Sequence, residues 1–353
     1  MKKTVKHITF MGAIALILIL GCKKEINLPP DVITHDPTSV TDTLIETGGT
    51  VTSSGASAVT KRGVVWDSVT FITYDFSDTN LFGSKKRFTS DGVGDGPYSS
   101  TISPLHAGTA YFVRAYAKTE DLTTFGNLIM VSTVPDTINT MIDLDGNVYH
   151  TMTYYWLDVL KIVRHSTWTI ENLKTTRYAT GEEIPIITDS ITGDTTRLWK
   201  NQISGAYCNY NNDTNNVPVY GNLYNWYAVH SSNRLCPLGW HVPDDEEWQN
   251  LLNFLGGQDI AGGKMKEEGF DHWWDPNSEA SNTSRFTALP GGGRSGVNGS
   301  FNFIGQYGNF WTASPGAGPQ TAIGYFLYYN AMHVGHTEGN IKSGLSVRCV
   351  KDD

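Results

Sequence analysis

The sequence predicts a multi-domain chain: an all-β sandwich followed by an α+β unit, behind a short leader. Three observations carry this reading. Residues 31–134 read as strands throughout, with no helical period. Beyond residue 138 the aromatic load climbs, with nine of ten tryptophans and thirteen of seventeen tyrosines there. Two amphipathic segments at helical spacing occur in that second part and none in the first. A length of 353 residues agrees, being too long for one ordinary domain. Charged residues make up 17%, aromatics 12%, and there are 36 glycines. That mix excludes a disordered chain and argues against a helical bundle. A net charge of −9 without a Lys/Arg cluster longer than three makes a poor nucleic-acid binder.

The leader comes first. Lys2, Lys3 and Lys6 precede eleven apolar or small residues, Phe10 to Leu20. A membrane-spanning helix needs ~20 such residues, so the stretch fits a signal-peptide core over residues 1–21. Ile19-Leu20-Gly21-Cys22 resembles a bacterial lipobox. The resemblance implies that Cys22 is lipidated and becomes the mature N-terminus. Acyl chains at ~0.8 kcal/mol per buried CH₂ would anchor it to a membrane. Position two holds Lys23 rather than Asp, so outer-membrane sorting is the expectation. Residues 22–30 form a tether ending in Pro29-Pro30.

Residues 31–134 have the size of a sandwich of about seven strands. Tyr111, Val113, Ala115 and Ala117 alternate with Phe112, Arg114 and Tyr116, a period of two that predicts a strand with one face buried. Leu105, Thr109 and Tyr111 resemble the tyrosine corner of fibronectin type III modules, with Ala107 where a proline is usual. Lys61 to Trp66 and "TFGNLIMVST" are similar to the Bacteroidetes-type version of that module. The resemblance implies a spacer and a Tyr111 hydroxyl tied to upstream backbone. Trp66, mid-strand, reads as core. Val134-Pro135-Asp136 closes the domain.

In the second domain, residues 138–352, Leu223, Trp226, Tyr227 and His230 predict a helix over Tyr220 to Ser231. Trp248, Leu251, Leu252 and Leu255 predict another over Asp244 to Gly256. Asp244 and Glu247 have capping-box spacing there, and Gly256-Gly257 supplies the stop. "GYFLYYNAMHV" and "LSVRCV" read as strands.

The blocks "WTIENLKTTRY", "GAYCNYNNDTNN", "YGNLYNWYAV", "LCPLGWHVPDDEEWQNLLNFLGG" and "FTALPGGGRS" resemble, in order, the Fibrobacter succinogenes major paralogous domain. That family is related to the fold of C-type lectins and formylglycine-generating enzyme, so an α+β lectin-like domain is implied. Residues 154–166 depart from it and lengthen a hairpin or loop. In an oxidising envelope two of Cys208, Cys236 and Cys349 should pair. Matched to the family, Cys236 and Cys349 are the structural pair, which leaves Cys208 as a buried thiol with no basic neighbour.

Several strings fail as sites. "DLDGN" at Asp143 opens like a calcium loop, but Val148 and Tyr154 stand where Gly and Glu are required, so it reads as a turn. Gly291, Gly293 and Gly296 match a dinucleotide string with no helix after it. His333 and His336 lie on opposite faces of a strand. His241 reads as packed at a helix start.

The segment 268–296 is long and polar, and by the lectin resemblance it is the ligand loop. If it is extended, one of Trp273 and Trp274 faces outward. Asp271, Asp275 and Asn277 would ring that indole, giving a stacking platform for a sugar. With Glu279 and Asn282 they are also oxygen donors of the kind Ca²⁺ prefers. A loop packed by its own aromatics is the third reading. No cofactor is expected, Ca²⁺ being the exception to test. The combined expectation is a non-enzymatic outer-membrane lipoprotein, surface-exposed, presenting a lectin-like domain for adhesion to glycans or a surface protein. The alternatives are a structural envelope or fimbria-associated subunit, and an enzyme of the formylglycine-generating type. Missing reactive-cysteine and carboxylate pairs disfavour the enzyme.

Overall fold

The computed structural model describes residues 28–68, 87–133, 139–157, 163–189 and 198–353. The leader 1–21, Cys22 and the start of the tether lie outside the described residues. Among the described residues no helix is long and apolar enough to cross a membrane.

The first half contains β1 (Asp31–Val40), β2 (Ile45–Ser53), β3 (Lys61–Ser68), β4 (Gly96–Ile102), β5 (Ala110–Lys118), β6 (Thr123–Phe125) and β7 (Ile129–Ser132). They pair antiparallel into two sheets, β1-β2-β4 and β3-β5-β6, with β7 also on β5. Ile45, Val64, Ile102 and Val113 are fully buried in one core cluster. Each such side chain stabilises by ~1.5–3 kcal/mol. Half-buried Trp66 packs against that cluster. Tyr111 Oη accepts the His106 N–H at 2.9 Å. The expectation of one buried face on β5 needs correction, because Phe112 and Tyr116 are buried as well. β5 is a central strand; Phe88 covers Tyr116 edge-on at 6.5 Å, and Phe112 lines a groove shared with Met152 and Trp156.

The second half contains β8 (Thr140–Ile142), β9 (Val148–Leu157), β10 (Val163–Thr169), β11 (Tyr207–Cys208), α1 (Val217–Tyr220), β12 (Leu223–Tyr224) and α2 (Trp226–Val229). After them come β13 (Trp240–His241), α3 (Asp245–Phe254), α4 (Gln258–Met265), β14 (Gly291–Arg294) and β15 (Phe301–Ile304). β16 (Tyr307–Pro315), β17 (Thr321–Tyr328), β18 (Val334–Asn340) and β19 (Val350–Lys351) complete it. Two sheets dominate, β13-β19-β10-β9-β8 and β15-β14-β16-β17-β18. β9 and β10 pair from Thr151↔Thr169 out to Leu157↔Val163, so residues 154–157 and 163–166 lengthen this hairpin, and the residues between them lie outside the described ones. Trp168, Trp248, Phe286 and Phe310, from β10, α3, a loop and β16, meet ring to ring at 5.1–5.9 Å.

Helix α3 forms as its sequence dictates. Asp244 accepts the Glu247 N–H and Glu247 accepts the Asp244 N–H, both at 2.9 Å, closing the capping box. Trp248, Leu251 and Leu252 are its buried stripe.

The helix expected over 220–231 does not form. Gly221 has φ 71°, where a Cβ would stand 2.7 Å from the Leu173 carbonyl oxygen. Leu223 and Tyr224 then pair with Cys208 and Tyr207 as strands. Beyond Tyr220, which ends α1, only Trp226–Val229 is helical, capped by Asn225, whose side chain accepts from Ala228 N–H. The apolar spacing was real, but strand pairing buries Leu223 and Tyr224 instead. "LSVRCV" is corrected too. Leu345 and Ser346 form isolated bridges, and regular pairing starts at Val350. "GYFLYYNAMHV" breaks after Tyr328 and resumes as β18 at Val334.

Candidate functional site

The loop after α4 is built on Lys266. Its side chain is fully buried, and Nζ donates to the carbonyls of Ser278 (2.9 Å), Tyr328 (3.0 Å) and Ala331 (3.0 Å). Burial pulls the ammonium down to about 8, so it stays charged at neutral pH. Three N–H donors meet three acceptors, which satisfies the group. One cation thus joins the loop to the turn between β17 and β18. The Trp273 ring lies 5.5 Å from Nζ.

The two adjacent indoles face opposite ways. Trp273 is 1% exposed, and its Nε1 donates to the Ala288 carbonyl at 2.9 Å. Trp274 is 55% exposed. Its N–H donates to the Gly305 carbonyl at 2.9 Å, and its indole lies against Gly305. Tyr329 flanks it edge-on at 6.3 Å. Asp271 and Asp275, three residues before it and one after it in the chain, are exposed.

Asn277 does not join that rim. It is buried, and its Nδ2 donates to the carbonyls of Glu267 (2.9 Å) and Gly269 (2.7 Å). Its role is to hold the turn through Nδ2, while its Oδ1 is buried with no hydrogen-bond partner among the described residues. The oxygen donors weighed for Ca²⁺ disperse as well. Asn282 bonds to Thr287 at both side-chain atoms, at 3.0 and 2.9 Å. Among the described residues no group of three or more His, Cys, Asp or Glu side chains gathers to hold a metal ion.

Sequence reasoning missed a second ring cluster at the same end of the sheet. Phe303, 47% exposed, stacks on Tyr307 at 4.6 Å. Tyr307 meets Tyr328 edge-on at 5.1 Å, and Tyr328 meets His333 at 5.0 Å. Tyr307 and Tyr328 are cross-strand partners in the β16–β17 register. Tyr329, the next residue, packs on the opposite face with Trp274. The alternation through "GYFLYY" was the available signal.

The remaining candidates are structural. Cys236 and Cys349 form a disulfide with Cα atoms 6.0 Å apart. Cys208 is free and buried. The sequence reading gave it no basic neighbour, and that is corrected: Arg294 stands beside it. Burial outweighs the guanidinium and pushes the thiol up to about 12, so it is no nucleophile at neutral pH. Arg294 is held by Asp189 at 2.5 Å.

His241 sits at the start of α3 with Nδ1 2.7 Å from Asp352 and Nε2 2.9 Å from Glu247. Carboxylates only accept, so both ring nitrogens donate and the ring is an imidazolium. The bond to Glu247, seconded by Asp352, raises it to about 9. It ties the chain end to the helix and is no base. His333 faces the Tyr328 ring while His336 bonds Asp245 at 3.1 Å, so the two do not chelate. Asp143 Oδ1 accepts from the N–H groups of Asp145 and Asn147, each at 2.9 Å, which is turn chemistry. Gly291 and Gly293 lie in β14, and a turn follows rather than a helix.

No curated protein matches the chain. Among solved structures it is similar to the sensor domain of the anti-sigma factor RsgI4 of Pseudobacteroides cellulosolvens, at 14% identity and a TM-score of 0.22, covering 30% of this chain and 96% of that one. It is also similar to titin domains A168–A170, at 19% identity and a TM-score of 0.20, over 30% of this chain and 32% of that one. The twitchin kinase region of C. elegans gives 17% identity and a TM-score of 0.20, over 35% of this chain and 20% of that one. The sequence profile of the Fibrobacter succinogenes major domain matches residues 163–351, more than half of the sequence. The chain therefore belongs to the Fibrobacter succinogenes major domain family.

Proposed function

We propose that this is a lipid-anchored protein of the bacterial outer membrane whose second half binds glycans at the cell surface. On this reading residues 31–134 are a fibronectin type III-like spacer, and residues 138–352 are a lectin-like domain. The spacer reading is supported by the two antiparallel sheets and the Tyr111 contact to His106. The lectin-like reading is supported by the disulfide between the segment before α3 and the chain end.

One observation carries the ligand reading. An indole, Trp274, is held outward at 55% exposure by a loop whose other anchors are all buried. An exposed ring costs solubility unless it has a partner, and a rigid one presents a ready stacking face. Sugar C–H faces stack on such rings while hydroxyls reach polar groups such as Asp271 and Asp275.

Two experiments test the proposal. Expressed in a Gram-negative host, the chain should partition with outer membranes, and Cys22→Ser should release it. A variant still membrane-bound after alkaline wash refutes the anchor. The full chain should be retained on at least one immobilised polysaccharide, and Trp274→Ala should abolish retention. Undiminished retention by that variant refutes the site.

A further inference from the structure

We infer that the surface at Trp274 takes uncharged saccharides and rejects acidic ones. This rests on the glycan reading above and names the ligand class for it.

The argument is the charge of the segments that meet there. Residues 267–282, 301–307 and 328–334 contain no lysine or arginine and five carboxylates: Glu267, Glu268, Asp271, Asp275 and Glu279. Glu267 is engaged by His272 at 2.8 Å. Glu268, Asp271, Asp275 and Glu279 are exposed. Lys266, the cation at the root of the loop, is fully buried, and its three donors are used by carbonyls. It cannot reach a ligand carboxylate or sulfate.

Acidic glycans need donors, usually arginine or lysine, to offset each lost hydration shell. Here those segments offer them no lysine or arginine and five carboxylates. Two like charges ~4 Å apart in water repel by ~1 kcal/mol, about five-fold in affinity for each carboxylate so placed. Neutral hydroxyls suffer no such loss, since a hydroxyl donates to a carboxylate directly. Asp271 and Asp275, exposed and within three residues of the outward indole in the chain, therefore act as acceptors for hydroxyls and as a filter against anions.

The test measures retention of the full chain on immobilised galactomannan and mixed-linkage β-glucan against polygalacturonate and alginate, at low and at physiological salt. The expected result is Trp274-dependent retention on a neutral polymer, at least ten-fold stronger than on either acidic one. Asp271→Lys with Asp275→Lys should raise retention on polygalacturonate at least five-fold at low salt. Intrinsic fluorescence checks that this exposed pair of changes leaves the fold intact. Trp274-dependent retention on an acidic polymer as strong as on a neutral one overturns the charge filter and leaves the glycan reading standing. A double variant that gains nothing on polygalacturonate also overturns the filter. Retention on none of the four polymers overturns the glycan reading and this inference with it.

Discussion

Replacing Trp273 and Trp274 one at a time by alanine separates a packing residue from a presented one. Trp273 is 1% exposed, so its whole side chain is lost from the core. Large aromatic truncations in cores cost ~3–5 kcal/mol. The Ala288 carbonyl loses its indole donor, and the Lys266 ammonium loses its ring, which places the cost toward the upper end. Trp274 is 55% exposed, so under half of its area is covered. For a ring of ~150–250 Å², that is ~70–110 Å² at ~25 cal/mol/Å², a ceiling of ~2–3 kcal/mol. The unfolded chain already shields part of that area, which brings the expected cost to ~1–2 kcal/mol. The gap between the two variants is thus ~2 kcal/mol or more. Urea unfolding followed by tryptophan fluorescence reads it, because nine of ten tryptophans lie in the second half. The midpoint should shift with the slope unchanged. Equal destabilisation by the two substitutions, or a Trp273→Ala cost below ~1 kcal/mol, refutes the reasoning.

Three further outcomes are expected. Breaking the Cys236–Cys349 bond, which spans 113 residues, should cost ~4–5 kcal/mol in the chain-entropy account, read as the loss of stability in Cys236→Ser/Cys349→Ser. Cys208, buried with its thiol raised to about 12, should resist alkylation in the native protein and react after unfolding; mass spectrometry of labelled peptides decides. His241 rises from 6.5 to about 9 on folding, so its contribution is full below pH 6.5 and is lost as pH climbs through 9. The stability difference between the wild type and His241→Gln should accordingly shrink between pH 6.5 and pH 9, and a difference independent of pH contradicts the imidazolium assignment.

What the sequence made legible was whatever local chemistry decides. Asp244, Glu247 and the stripe from Trp248 fix α3 within a few residues of one another, so the helix could be read directly. Long-range partners decided the rest. The spacing of Leu223, Trp226, Tyr227 and His230 fits a helix, but Tyr207 and Cys208 claim Leu223 and Tyr224 as strand partners. α4 was missed for the opposite reason. "AGGKM" has poor propensity, yet Gly262 and Gly263 press against the carbonyl oxygens of Met332 and Glu279, where a Cβ would stand at 2.6 Å. Close backbone approach, invisible in a single chain of letters, outweighed the propensity. Arg348 shows the same limit: nothing in "SVRCV" announces the burial of a guanidinium. It is fully buried, donating to Asn172, Thr169, Phe286 and Thr287 with its guanidinium over the Phe286 ring.

Adjacent tryptophans in an extended segment imply one inward and one outward ring; residues 271–279 are a run of bends and turns instead, yet the two rings still part, Trp273 buried and Trp274 exposed. Which ring turns out is settled by Lys266. Its ammonium needs three carbonyls once it is buried, and Ser278, Tyr328 and Ala331 supply them only when the loop lies across the β17–β18 turn. That placement puts Trp273 over the cation and into the core, and it leaves Trp274 against Gly305. The exposed indole is therefore a consequence of how a buried charge is satisfied. Loss of the Lys266 ammonium would be felt first at the surface that Trp274 presents.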